Sequence, residues 1–479
     1  MAGKKKELIK FKKKDIPKLN YGVLHSQIGF GDGVSIVMRQ IEEVMREDMK
    51  IPYSNIFYLV GAAARGSPQI TQNKLFWHKY KVNKSMLKYY DRGYGGSVSE
   101  SIEKSINKAK KIIEEFVSKN KIDVLIVHNS SHPVNFISSV ALSRYYRDRM
   151  KIKKKTPKYI LWWHDSHLER QRFANPAYGV KRYLRQGVPG KYVEYIIFIN
   201  SLQFDAARDY FLELSKGYYE SILVNHDVVY NTTNTIINSL RDLSKSEFAE
   251  RTDKFLDDFK IRKLLHKNNL ALHDVQFVLQ HTRIVKRKRI DFALKYCYEL
   301  LSQLQDKKIK KALIFFVSGH SSDEVFPSKK KLIELNAKLS KKYKTNKFFF
   351  IFAEDYPKSN IIFEEFPYIF ASLGGIGTYF SEIEGFGNNL LEVLAGGLIP
   401  IVYTYPVFIK DIAKHKFKVV YLNKFEITPE SIKQITDIIQ KDRLKKIWVN
   451  KNIKILKKKF PHRIIASKLK RAIIRKRCI

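Results

Sequence analysis

The chain has 479 residues, enough for two to three domains with a sizeable core, and a hydrophobic content of 44% excludes a globally disordered protein. Its 89 basic and 47 acidic residues give a formal net charge of +42 at pH 7. Its two cysteines, Cys297 and Cys478, have no ligand-like spacing, which argues against a zinc site and for a reducing compartment.

No apolar run approaches the roughly 18 residues that span a membrane, and the basic start, Met1 to Lys14, lacks the apolar core of a signal peptide. A cytoplasmic location is expected, with residues 1–20 as a solvated basic tail. The charge favours anionic partners: nucleotide sugars, phosphorylated acceptors, acidic lipids or nucleic acid. A lysine-rich genome would give the same surface, and the sequence leaves both readings open. The aromatic residues form no stacking platform of the kind that reads RNA, so no specific nucleic-acid partner is expected.

Short apolar runs alternate with helical patterns along the chain, which predicts parallel α/β sheets. In the first half the strands read Tyr21 to Leu24, Ile56 to Val60, Val124 to Val127, Tyr159 to Trp163, Tyr195 to Ile199 and Ile222 to Val224. Helices are predicted over Val34 to Met49 and over Glu100 to Lys119, the second opened by a capping box at Ser97. A polar stretch from Asn225 to Asn238 breaks the pattern and predicts a hinge. The first domain is therefore read as 21–229. The second, 230–445, repeats the scheme with strands Val275 to Leu279, Leu313 to Val317, Phe348 to Phe352, Gly377 to Phe380, Ile399 to Tyr403 and Val419 to Leu422. The basic segment 446–479 is read as closing helices that return to the first domain. Its second reading is an amphipathic helix on acidic lipid.

Ligands of doubly wound sheets bind beyond the carboxyl ends of the strands. The unusual polar residues fall at that end: Gly29, Gly31 and Gly33, His128, His164, Arg283, Gly319 and Glu384. The G-x-G-x-G spacing after the first strand lacks the acidic residue of a dinucleotide fingerprint, so no nicotinamide cofactor is indicated. The chain contains no G-x-S-x-G, H-E-x-x-H, Walker loop or D-x-D. Neither a protein nucleophile of those kinds nor a metal-bound pyrophosphate is therefore indicated.

The densest motif is Glu384-Gly385-Phe386-Gly387-Asn388-Asn389-Leu390-Leu391-Glu392. A buried strand, a tight glycine turn and a short helix are predicted there, and the amides at such a helix start attract phosphate or sugar hydroxyls. About a hundred residues upstream, Gln280-His281-Thr282-Arg283-Ile284-Val285-Lys286-Arg287-Lys288 follows an apolar run. Arg283 and Lys288 can converge on one pyrophosphate, the first as a planar fork and the second as a point charge.

These two motifs, in this order, resemble the donor site of the retaining family 4 glycosyltransferases. The resemblance implies the GT-B fold, with two Rossmann-like α/β domains facing across a cleft. It also implies transfer of a hexose, glucose or mannose, from a nucleotide diphosphate sugar with no cofactor or metal. Arg283 and Lys288 would hold the pyrophosphate, and Glu384 with the amides of Gly385, Phe386, Gly387, Asn388, Asn389 and Leu390 would hold the sugar. Glu392 would accept hydrogen bonds from the nucleotide ribose. Gly31 and Gly33 would approach the pyrophosphate, and His164 would contact the transferred sugar. His128, Arg170 and Arg172 are assigned to the acceptor side, where an anionic acceptor is expected. His128 remains open between that role and a core position. The chain departs from the family at Arg289, where glycine is usual, at Phe380, and at Tyr403-Thr404-Tyr405-Pro406-Val407 in place of paired glycines. Sugar and acceptor identity stay undetermined. A sugar phosphorylase on the same fold, and a non-catalytic basic protein binding nucleic acid or membrane, are the alternative readings.

Overall fold

The computed structural model describes residues 11–30, 33–93, 96–233, 240, 243–321 and 329–475. The chain folds into two compact units, one of Met1–Asn231 with His462–Ile479 and the other of Thr232–Pro461.

The first unit is built on a seven-stranded parallel sheet in the order β3-β2-β1-β4-β5-β6-β7. Its strands are β1 (Tyr21–Ile28), β2 (Ile56–Ala63), β3 (Ile70–Gln72), β4 (Val124–His128), β5 (Lys158–Trp163), β6 (Tyr195–Phe198) and β7 (His226–Val228). Strands of a sheet covered by helices on both faces bury every residue, and β4, β5 and β6 do so throughout. Successive residues point to opposite faces, so one sheet fills two cores. Leu24, Leu59, Leu125, Val127 and Leu161 pack on one side. Tyr21, Val23, Tyr58, Val60, Ile126, Ile160 and Trp162 pack on the other.

The second unit repeats the architecture with six parallel strands in the order β10-β9-β8-β11-β12-β13. These are β8 (Val275–Gln280), β9 (Ala312–Val317), β10 (Phe348–Phe352), β11 (Ile376–Tyr379), β12 (Pro400–Tyr403) and β13 (Val420–Leu422). Counted within the unit, the order is 3-2-1-4-5-6, the Rossmann order, and its direction reverses between β8 and β11. A crevice opens at such a switch point because the connections leave the two neighbouring strands for opposite faces.

Several expectations are corrected. Ile222 to Val224 is not a strand but the end of a helix, Lys216–Val224, whose N-cap Ser215 accepts from the Tyr218 amide at 3.0 Å. Only Ile222 of that apolar run is buried, on the core face of the helix with Tyr218, while Leu223 and Val224 are exposed, and the strand follows at His226. The edge strand β3 has only three residues and no apolar alternation, so the sequence pattern did not reveal it. The long helix begins at Gly96, which places Ser97 inside its first turn instead of at the cap.

The tail is not solvated throughout. Residues 1–10 lie outside the described ones, but Phe11, Ile16 and Leu19 are buried in the same core as the helix Arg463–Ile474. That helix presents Ile465, Ala466, Leu469, Ala472 and Ile473 to the first unit at helical spacing. The segment 446–479 does not act as one closing element. The helix Asp442–Lys459 belongs to the second unit, where Leu456 is buried and Asn452 exchanges hydrogen bonds of 2.7 and 2.9 Å with the Lys418 backbone. The stretch Asn225 to Asn238 contains the division between Asn231 and Thr232, and residues 234–238 of it lie outside the described residues. No described helix is long and apolar enough to cross a membrane.

Candidate functional site

The register of the second sheet explains how two distant sequence motifs meet. Strands β8 and β11 are neighbours, with Val278 opposite Ile376 and Gln280 opposite Thr378. The loop after β8 carries residues 281–289, and the loop after β11 carries 380–387. Both therefore leave the sheet side by side at the switch point. Thr378 Oγ1 donates to Gln280 Oε1 at 2.6 Å, and the Glu382 amide donates to the Arg287 carbonyl at 2.8 Å, which pins one loop to the other.

Glu384 is the centre of this junction. Lys288 Nζ donates to its Oε1 in a short ion pair, and the Tyr379 hydroxyl donates to the same oxygen at 2.8 Å. Arg287 Nη1 reaches Oε2 at 3.3 Å and also donates to the Ile383 carbonyl at 2.8 Å. The Lys288 and Glu384 side chains are only 5% and 9% exposed, so both charges are held away from water. Burial disfavours ionisation of Glu384, but Lys288 and Arg287 overcome it and bring the carboxyl down to about 2. Burial lowers the Lys288 ammonium to about 8, against the pull of Glu384, so it is still protonated at neutral pH.

Arg283 differs from its neighbours. It is exposed, and its guanidinium makes no hydrogen bond or ion pair with a described residue, while its carbonyl accepts from the Val285 amide at 3.1 Å. A guanidinium in that state can engage a diphosphate bidentately. Lys288 has two further ammonium protons beyond the one it gives Glu384, and can share the same anion.

The glycine turn is shaped by sterics. Gly387 has φ +110°, outside the range of ordinary side chains, and a Cβ there would overlap the Tyr405 hydroxyl. That hydroxyl donates to the Phe386 carbonyl at 2.8 Å and fixes the turn. The helix Asn388–Ala395 starts directly after it. Gly385 is exposed and Asn388 and Asn389 are half-buried, so this backbone is within reach of a ligand. Phe386 and Leu390 are buried side chains of the unit's interior, which leaves only their backbone for donor binding. The departure at position 289 also has a backbone account. Arg289 sits in the left-handed region at φ 47°, the conformation that glycine adopts freely. Its side chain bonds Asp291 and Glu382 and lies 4.3 Å from the Phe425 ring centroid.

Glu392, one helical turn past the glycine turn, accepts at Oε2 from His281 Nε2 at 3.1 Å. His281 is wholly buried, its Nδ1 lies 2.9 Å from Ser318 Oγ, and its ring stacks on Phe363 with centroids 4.0 Å apart. His281, Arg287, Tyr379 and Tyr405 were not anticipated as site residues. The signal for His281 was a Gln-His pair ending an apolar strand, and Arg287 stood inside the basic run already singled out.

The remaining candidates belong to the first unit. Gly33 opens the helix Gly33–Glu47 after β1, and Gly31 lies outside the described residues. His128 and His164 end β4 and follow β5, and the structure brings them together, with His128 Nδ1 3.0 Å from His164 Nε2. His128 also stacks on Trp162, and burial holds its imidazolium well below the usual range. Arg170 is engaged by Asp165, with Nε 2.6 Å from Oδ2, while Arg172 is exposed and lies 4.5 Å from the Phe173 ring centroid. Among the described residues no group of three or more His, Cys, Asp and Glu is arranged to hold a metal ion. Cys297 is buried, and Cys478 lies outside the described residues.

No protein-family model matches the chain. It is 27% identical over 428 residues, 84% of this chain and 86% of the other, to mannosylglucosylglycerate synthase of Petrotoga mobilis. Its fold is similar to that of a glycosyltransferase from Rickettsia africae, with TM-score 0.58, 15% identity, and coverage of 95% of this chain and 99% of that one. It is also similar to Anabaena HepE, crystallised with UDP and glucose, with TM-score 0.54, 12% identity, and coverage of 94% and 98%. The fold is thus that of the two-domain α/β glycosyltransferases.

Proposed function

We propose that this enzyme, a nucleotide-sugar-dependent glycosyltransferase, moves a hexose to an acceptor hydroxyl with retention at the anomeric carbon, and that the acceptor is a small carboxylated sugar derivative. One observation carries the reading: a buried Lys288–Glu384 pair beside the exposed Arg283 and a glycine turn, all at the switch point of a Rossmann-order sheet. A nucleoside diphosphate places its charge where Arg283, Lys288 and the helix start converge. Glu384, ionised and pre-positioned, accepts from the sugar hydroxyls. Glu392 accepts from the ribose.

In the reaction the bond from the anomeric carbon to the diphosphate breaks. A bond to the acceptor oxygen forms on the same face, and the acceptor proton passes to the leaving phosphate. Arg283 and Lys288 neutralise the charge that develops on that phosphate. His164 keeps the sugar role, and Gly31 and Gly33 the pyrophosphate role, that the family resemblance implies, while His128, Arg170 and Arg172 stay assigned to the acceptor side.

HepE was crystallised with UDP and with UDP-glucose, which supports the donor class. The name of the Petrotoga relative puts mannose, glucose and the carboxylate glycerate in one product, which supports a hexosyl donor and an anionic acceptor. The test is a transfer assay with GDP-mannose and UDP-glucose on glucosylglycerate and on its neutral counterpart glucosylglycerol, with the product anomer read by NMR. An α-linked product from an α-donor, with at least tenfold preference for the charged acceptor, is expected. A β-linked product overturns retention, and preference for glucosylglycerol overturns the acceptor class. Separately, the helix Asp442–Lys459 exposes Arg443, Lys446, Ile447, Lys451, Lys454 and Lys458, which supports peripheral contact with an acidic membrane. Vesicle sedimentation with and without anionic lipid tests that contact.

A further inference from the structure

We infer that His281 is a positioning residue that fixes Glu392 for the donor ribose, through a Ser318–His281–Glu392 chain. The inference rests on the donor reading of Glu392 given above. The geometry is closed on every side of the imidazole. Nε2 lies 3.1 Å from Glu392 Oε2, Nδ1 lies 2.9 Å from Ser318 Oγ, and one ring face stacks on Phe363. The Asn389 amide donates to the His281 carbonyl at 2.8 Å, so the same residue also ties down the first turn of the helix that carries Glu392. His281 therefore joins the ends of β8 and β9 to the helix after β11.

The hydrogen-bond chemistry sets the direction of the chain. An ionised Glu392 can only accept, so Nε2 must carry the proton. In the neutral ring Nδ1 is then the acceptor, and the Ser318 hydroxyl donates to it. The alternative acceptor for that hydroxyl, the Gln280 carbonyl, is farther away at 3.5 Å. Glu392 thus fixes the tautomer, Ser318 satisfies the other ring nitrogen, and His281 occupies one carboxylate oxygen of Glu392. The Glu392 side chain is 16% exposed whereas His281 is wholly buried, so any ligand meets Glu392 and not the histidine. Fixing the carboxylate in advance removes rotamer freedom that ligand binding would otherwise have to remove.

The experiment measures binding of the nucleoside diphosphate that is tightest of UDP, GDP and ADP, beside that of its 2′-deoxy counterpart. The wild type should prefer the ribonucleotide by about tenfold or more, as loss of a charge-assisted hydrogen bond does. His281→Phe keeps the ring and its stacking but removes the donor to Glu392, and should reduce that preference to less than about threefold. His281→Gln places an amide N–H near the Nε2 position and should restore most of it. Ser318→Ala should give an intermediate loss with the thermal midpoint little changed, and it serves if the phenylalanine variant fails to fold. Transfer kinetics should show donor KM rising while acceptor KM holds. If Glu392→Gln abolishes the ribose preference and neither His281→Phe nor Ser318→Ala changes it, the positioning role is wrong and the donor reading stands. If Glu392→Gln leaves the preference intact, the donor reading itself fails.

Discussion

Lys288 and Glu384 form a buried ion pair although 96 residues separate them in the chain. They meet because β8 and β11 are adjacent strands, so the pair exists only when the switch point is correctly assembled. The same contact therefore tests the fold and the chemistry, and its two halves should fail differently.

Glu384→Ala should destabilise the protein more than Lys288→Met does. Removing the carboxylate leaves a buried ammonium beside Arg287, a situation that costs about 3–5 kcal/mol. Removing the lysine leaves Glu384 with Arg287 and the Tyr379 hydroxyl still in place. Thermal or urea unfolding of both variants gives the comparison, and equal losses would show that the charges are not effectively buried.

The alkaline limb of activity should follow Lys288. Its ammonium is lowered to about 8, so kcat/KM should fall as pH rises through that value and the cation leaves the phosphate site. Stability should move the other way. A lysine depressed in the folded state binds fewer protons there than when unfolded, so its contribution to stability rises between about pH 8 and the ordinary lysine range near ~10.4. At the acid end Glu384, whose carboxyl is also depressed in the folded state, gives a slope of the same sign. Its stabilisation is present above the unfolded carboxyl value of ~4.3 and is lost as pH falls towards about 2. Lys288→Arg, which stays protonated, should move the alkaline limb of activity upward. A profile flat to pH 9.5, or unmoved in that variant, would contradict the assignment.

Gly387→Ala should cost about 1–3 kcal/mol, since it combines a positive φ with overlap of the Tyr405 hydroxyl. Adding Tyr405→Phe removes the overlapping oxygen but not the strain, so the double variant should regain part of the loss. A double-mutant cycle on unfolding free energy checks this, and strict additivity would mean that the two groups do not meet.

EDTA should leave transfer largely unchanged, because in the proposed site Arg283, Lys288 and the start of the helix Asn388–Ala395 would supply the positive charge at the phosphates. A requirement for magnesium or manganese, restored by adding the ion back, would contradict this.

An anionic acceptor on a chain of net charge +42 should be steered by the field of the protein. Its KM should rise between low salt and ~0.3 M, where screening shortens the Debye length to well below ~10 Å. Arg172→Ala should raise it further, with donor KM barely moving. A flat acceptor KM would contradict steering.

Much of this site was legible in the sequence because its parts are local patterns. The glycine turn between Glu384 and Glu392, and the basic loop after an apolar strand, announce themselves within a few residues. The partners were not legible. Tyr379 reads as one more apolar residue in a buried strand, and only its place at the end of β11, one residue past the Thr378–Gln280 pair, brings its hydroxyl to Glu384. Arg287 looked like part of a solvated run until a loop turned it onto a carboxylate 97 residues away. His281 sits in the same basic-loop motif with no role legible there, because its partners Ser318 and Glu392 come from two other elements. The misread strand at Ile222 to Val224 is the reverse case. There a short apolar run, of which only Ile222 is buried, ends a helix whose start is marked by Ser215.

The central claim is that the junction of Arg283, Lys288 and Glu384 is the donor site of a transferase. Transfer of hexose from GDP-mannose or UDP-glucose to glucosylglycerate, followed by mass spectrometry for wild type and Glu384→Gln side by side, tests it most directly. Wild type should yield an acceptor heavier by one hexose, with kcat/KM about 10- to 150-fold higher than that of the folded variant, the range expected for one lost charge-assisted hydrogen bond. Equal rates in the two proteins, or no hexose transfer by wild type from either donor, would contradict it.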